Sequence, residues 1–252
     1  MAYREGGYKG STVAIGGILA SLFFVWVIKP FASEAIDTTR MSTPAGAEVA
    51  MREDPQAGPI YAKIAEHFPA DYARVRGEIA AAAATGDRDA VYAAMSKGIG
   101  DTLTANRPHL ARASVEAVDR MRLAELAVVE RLSTTSPAVC AHYVGTGLTA
   151  GDRLRPETEA LMKAQIIAAL EASADGRRHP GATARTRPTP ALIRKFDAAL
   201  RAEVRSDAAY SYIMDAKAAP TTRDDNRCEG ARAYLMALGD LTPEERATLY
   251  VS

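Results

Sequence analysis

An uncharged apolar run near the amino terminus constrains this chain more than any other feature. Residues 11–28 read STVAIGGILASLFFVWVI, without one charged side chain. A helix of this length would extend about 27 Å, which is close to the roughly 30 Å hydrocarbon core of a bilayer. The sequence therefore predicts a cytoplasmic tail over residues 1–10, a single transmembrane helix over 11–29 and a body outside the membrane after it.

The charges that flank the run predict its orientation. Arg4 and Lys9 precede it, whereas Lys29 follows it and is soon accompanied by Glu34. Because cytoplasmic flanks carry the excess of positive charge, we expect a cytoplasmic amino terminus and an extracytoplasmic body. The frequent use of Ala and Arg favours a bacterial source, so the expected location is the inner membrane, with the body in the periplasm.

A cleaved signal peptide is the alternative interpretation of the same segment. Signal peptides have apolar regions of roughly 7 to 15 residues, followed by a cleavage site of small residues. The run here is longer, and the nearest site of this kind, residues 33–35, would place the cut before Ile36. We therefore expect a retained anchor, and a secreted ligand-binding or inhibitor domain is the alternative.

Four small residues of the run favour close packing against a second helix. They form two overlapping pairs at a spacing of four, which lets two helix backbones approach closely in lipid. The predicted partner is another membrane protein or a second copy of this chain, although small residues are also common in transmembrane helices generally. The four residues are Gly16, Gly17, Ala20 and Ser21.

The composition of the remaining chain predicts an all-α body. Alanine is frequent, aromatic residues make up only 6% of the chain, and no strand-length alternation of Val, Ile or Thr occurs. We expect a linker over residues 30–58, rich in Pro, Gly and Thr, and then an Ala-rich bundle of seven to eight helices over 59–252. The net charge is zero, so the sequence gives no reason to expect a nucleic acid partner.

Two cysteines, Cys140 and Cys228, lie on the apolar faces of two predicted helices. In an exported body such a pair favours a disulfide that closes a loop of about 90 residues. The alternative is two buried free thiols that pack as small apolar groups.

A basic segment interrupts the predicted bundle at residues 175–190. Prolines and glycines predict a flexible loop, in which four arginines face only one acidic residue. This loop is a candidate contact for an anionic partner, or else a solvated excursion of the chain. The four arginines are Arg177, Arg178, Arg185 and Arg187.

Two charges, Arg122 and Glu125, interrupt the apolar face of a long predicted helix that runs from Pro108 to about Leu132. Their spacing of three allows an ion pair along the helix at the edge of the core. A polar layer or ligand contact inside the bundle is the alternative.

No catalytic, metal or cofactor motif is evident in the sequence. Cys140 and His142 are close in sequence, but no further Cys or His spacing completes a zinc site. The function expected from the anchor and the helical body is that of an interaction, scaffold or accessory subunit of a membrane complex. A cell-envelope hydrolase that uses carboxylates, such as Glu66 with Glu78, is the alternative and requires a buried acid in a cleft.

Overall fold

The computed structural model describes residues 37–145, 147–148, 152, 154–215, 218 and 221–251. The predicted tail, the predicted transmembrane helix and the first part of the predicted linker lie outside these residues. Among the residues that are described, none of the helices combines the length and the apolar character that crossing a bilayer requires.

The described part of the chain is helical, which confirms the predicted all-α class. It contains twelve α-helices and two short 3-10 segments. Ten of the α-helices fall within residues 58–251, more than the seven to eight expected there, because prolines and side-chain caps divide the chain into shorter pieces. The 3-10 segments are Arg107–Arg112 and Leu238–Asp240. The α-helices are α1 Thr38–Met41, α2 Pro44–Glu53, α3 Gly58–His67, α4 Pro69–Ala83, α5 Arg88–Asn106, α6 Val115–Thr135, α7 Pro137–Val144, α8 Pro156–Arg178, α9 Pro190–Glu203, α10 Asp207–Met214, α11 Asp224–Ala237 and α12 Pro243–Val251.

The second half of the predicted linker belongs to the folded body. Helices α1 and α2 lie within residues 38–53, and they pack against α4. Met41, Ala47 and Met51 are buried in the common core. The Thr and Pro residues that suggested a linker act as helix starts, since Thr43 caps α2 and Pro44 occupies its first turn.

An antiparallel pair of long helices, α6 and α8, forms the centre of the body. At one end, the backbone N–H of Ser114 donates to Asp175 Oδ2 at 2.7 Å; at the other, Arg131 pairs with Glu157 at 3.6 Å. Helices α3 and α5 and the first 3-10 segment pack on α8, whereas α7, α11 and α12 pack on α6. Helices α9 and α10 cover α11 from the outside. Helices from the first half and from the second half of the described chain therefore pack on the central pair of α6 and α8.

Helix α8 extends into the segment predicted as a basic loop. It ends at Arg178, so the connection to α9 comprises residues 179–189 rather than 175–190. Gly176 explains the difference, because a Cβ atom at this position would lie 1.9 Å from the carbonyl oxygen of His109. This glycine permits a close approach of two backbones inside the fold instead of marking a flexible turn.

Candidate functional site

The two cysteines are brought together by the fold. Cys140 lies in α7 and Cys228 lies in α11, and their Cα atoms are 5.6 Å apart across a sequence separation of 88 residues. Both side chains are buried. The predicted cysteine pairing is confirmed in the described structure, and the bridge joins two helices that pack directly against each other.

Five polar side chains from five helices meet in the core and form what we call the tyrosine–glutamate cluster. All five are buried, and Glu125 is completely inaccessible to solvent. The cluster arises because Glu125 lies on the apolar face of α6, between Met121 and Val128, which faces the surrounding helices. Its members are Glu125 of α6, Tyr143 of α7, Gln165 of α8, Tyr234 of α11 and Tyr250 of α12.

Hydrogen bonds inside the cluster leave Glu125 with one partner. The Tyr250 hydroxyl donates to Glu125 Oε2, whereas the hydroxyl of Tyr143 donates to Gln165 Oε1 at 2.8 Å. The hydroxyl of Tyr234 donates to the carbonyl oxygen of Leu249 at 3.4 Å. Glu125 Oε1 has no hydrogen-bond partner among the described residues. Burying an oxygen atom without a hydrogen-bond partner costs free energy, and the cost is larger when the carboxyl group is ionised.

Arg122 does not neutralise Glu125, so the predicted ion pair between them is not formed. Its Nη1 donates to the carbonyl oxygen of Leu235 at 2.8 Å, and its Nε donates to Asp119 Oδ1 at 2.8 Å. Burial raises the pKa of Asp119, but hydrogen bonds from Arg122 and Arg246 outweigh this effect and lower it. The structure therefore matches the alternative interpretation, a polar layer inside the bundle.

Burial is the main influence on the pKa of Glu125. Removal from solvent raises the pKa of this carboxyl from 4.5 to about 7, and the hydrogen bond from Tyr250 only partly offsets the effect. A buried acid of this kind is what the hydrolase alternative requires, but Glu125 is completely enclosed by packed helices, and that alternative requires the acid to face a cleft. The other proposed acids each have a cation nearby, since Glu66 pairs with Lys63 and Glu78 with Arg74.

A groove of about 430 Å³ lies where the start of α6 meets the 179–189 connection and the start of α12. Arg185 fixes one wall, because its Nη1 donates to the carbonyl oxygen of Ala113 at 2.6 Å and its Nε pairs with Glu244 at 3.1 Å. Arg112 lines the groove as well, and its buried Nε lacks a hydrogen-bond partner among the described residues. The polar lining residues are Arg112, Ser114, Glu116, His179, Thr183, Arg185 and Glu244.

The four arginines of the predicted basic loop have different surroundings. Arg177 reaches the carbonyl oxygen of His67 and lies 5.8 Å from the centre of the Phe68 ring. Arg178 pairs with Asp175 on its own helix, and Arg185 is bound in the groove wall. Arg187 is exposed. Contact of these arginines with an anionic partner stays a prediction, and Arg187 is the one whose side chain is most available for it.

The remaining candidates are His142, as a metal ligand, and the small residues of the apolar run. His142 Nδ1 lies 2.9 Å from Asp152 Oδ1, and no group of three or more metal-ligating side chains occurs in the part of the chain that is described. The small-residue face at 16, 17, 20 and 21 lies outside the described residues.

Sequence reasoning missed the tyrosines of the cluster. The usable signal is that Tyr143 and Tyr250 each place a hydroxyl group among apolar residues of a helix, and a buried hydroxyl requires a hydrogen-bond partner. Comparison with known proteins adds no relationship: no protein family, no curated protein and no solved structure matches this chain.

Proposed function

We propose that the protein is a membrane-anchored, extracytoplasmic helical domain that acts as an interaction or accessory subunit of a membrane complex. The observation that carries the proposal is the buried Cys140–Cys228 pair. Structural disulfides persist in oxidising compartments and are rare in the bacterial cytoplasm. The uncharged run at residues 11–28 and the positive charges that precede it supply the anchor and its orientation.

The proposed partner binds through the anchor and through the body. In the membrane, Gly16, Gly17, Ala20 and Ser21 would form the face that packs on a second transmembrane helix. Outside it, the groove offers a recess in which Arg112 has no acidic partner among the described residues.

The compartment is tested by labelling thiols in the full chain within intact cells of a bacterial host. Lysates are alkylated under denaturing conditions with and without prior reduction, so that disulfide-bonded cysteines react only after reduction. We expect both cysteines to be protected before reduction, and a reporter joined after Ser252 to be active only outside the cytoplasm. Free thiols together with a cytoplasmic reporter would contradict the proposed location.

The partner is tested by purifying the full chain from native membranes in mild detergent. We expect it to migrate as a complex with itself or with another membrane protein. Gly17→Ile should weaken that complex, because a bulky side chain separates the two backbones, whereas Leu22→Ile on the opposite side should not. Recovery of a lone monomer from wild-type membranes would count against the proposal.

The groove also favours a second candidate, a secreted ligand-binding domain whose leader is cleaved. In this case the recess lined by Arg112 and Arg185 would be the binding site. Mass spectrometry of the protein isolated from cells separates the two candidates. A mature chain that begins at Ile36 supports the secreted domain, and one that begins at Met1 or Ala2 excludes it.

A further inference from the structure

Helix α12 is fixed at its two ends by contacts of different kinds. Near its start, Arg246 Nε donates to the carbonyl oxygen of Leu238 at 3.0 Å, and the guanidinium pairs with Asp119 at 2.9 Å. Glu244 and Glu245 add ion pairs with Arg185 and Lys195. These contacts do not involve Glu125.

Near its end, α12 is seated by Leu249 and Tyr250, which are almost inaccessible to solvent. The Tyr250 hydroxyl is the single hydrogen-bond donor to Glu125 in the described structure, and Glu125 Oε1 remains without a partner. The last turn of α12 therefore covers a carboxyl group that none of the described cationic side chains pairs with. Ionisation of a buried carboxyl is costly, and movement of the last turn would relieve this cost by admitting water to Glu125.

The groups that face Glu125 offer no compensating charge. Tyr143 faces it from α7, Tyr234 from α11 and Tyr250 from α12, and burial raises the pKa of each hydroxyl, with a further increase from the nearby carboxyl. From α8 the polar group is Gln165, which is neutral and accepts from Tyr143. On α6 itself, Arg122 is directed to Leu235 and Asp119.

We propose that α12 is a pH-sensitive latch: its last turn is closed on the body while Glu125 is protonated, and it opens when Glu125 ionises. The start of α12 remains attached through Arg246 and the neighbouring ion pairs. Opening uncovers the part of α6 around Glu125 on which the last turn of α12 packs. The body would thus present a different surface to its surroundings at acidic and at alkaline pH.

The latch is tested by hydrogen–deuterium exchange of the full chain in detergent at pH 5.5 and pH 8.5, with rates corrected for the intrinsic pH dependence of exchange. A carboxyl with a pKa of about 7 in the closed state and 4.5 in the open state gives a rise in the open population of about 30-fold between these pH values. We expect this rise in the amides of residues 247–251 and little change in α3 and α8. Equal exchange of α12 at both pH values, or an equal rise throughout the body, would overturn the proposal.

Variants assign the effect to Glu125. Glu125→Gln keeps the shape and removes the ionisation, so the pH-dependent rise should disappear, whereas Glu130→Gln on an exposed position of α6 should leave it unchanged. If Glu125→Gln does not fold, Tyr250→Phe serves instead: it removes the one hydrogen-bond donor that Glu125 has among the described residues and should enlarge the rise. A rise that persists in Glu125→Gln, or that Tyr250→Phe leaves unaltered, would show that another group is responsible.

Discussion

Breaking the Cys140–Cys228 bridge should destabilise the body by an amount that follows from the sequence separation of 88 residues. In the chain-entropy treatment, opening a closed loop of this length lowers the free energy of unfolding by about 4 to 5 kcal/mol. Domains are typically stable by about 5 to 15 kcal/mol, so about a quarter or more of the stability depends on this bond. For a body of this size the expected decrease in Tm is roughly 10 to 20 °C.

The assay is urea unfolding followed by circular dichroism, on the oxidised protein, the reduced protein and the double variant Cys140→Ala/Cys228→Ala. Comparison of oxidised with reduced protein isolates the cross-link, because both sulfur atoms are retained. Comparison of reduced protein with the double variant gives the packing contribution of two buried sulfur atoms. The slope of free energy against urea should also increase on reduction, since the unfolded chain expands when the loop is opened. Unfolding midpoints that coincide before and after reduction would refute this reasoning.

Two further predictions concern single positions, and each has a matched control. Gly176→Ala should lower the free energy of unfolding in urea by about 2 to 3 kcal/mol or more, because the added Cβ atom would lie 1.9 Å from a backbone oxygen. The control is Gly77→Ala in α4, where the space around the glycine is open. This substitution should raise the free energy of unfolding by about 0.5 to 1 kcal/mol. Equal effects of the two substitutions would contradict the close approach at Gly176. Hydrogen bonds from Lys195 and Thr242 lower the pKa of Glu245 from 4.5 to about 2, so this carboxylate contributes stability above pH 4.5 that is lost as the pH falls toward 2. Glu245→Gln should therefore reduce the acid sensitivity of Tm between pH 5 and pH 2, and an unchanged acid profile would contradict this assignment.

The helical class and several helix boundaries could be predicted because their signals are local. Pro156 and Pro190 occupy the first turns of α8 and α9, and Thr242 with Glu245 forms a capping box at the start of α12. The cysteine pairing was also accessible, since a residue on the apolar face of a helix points toward the core whatever the detailed packing. These features depend on residues that are close in sequence, or on burial alone.

The candidate site was less predictable because its contacts connect distant parts of the chain. The apolar face of α6 places Glu125 in the core, but no periodicity indicates that its partner is Tyr250, 125 positions later. The same limit applies to Arg185, which appeared as a free charge in a loop and forms part of the groove wall. Gly176 was interpreted as a loop residue, since a glycine required for backbone contact and a glycine in a flexible turn look alike in sequence.

The position of the 179–189 connection has a consequence for proteolysis. Gly181, Ala182 and Thr183 are exposed, and this stretch separates the part of the chain that contains Cys140 from the part that contains Cys228. A protease that cuts there would produce two fragments that remain covalently attached through sulfur. The nicked protein would run as one species on a non-reducing gel and separate into two bands only after a reductant is added.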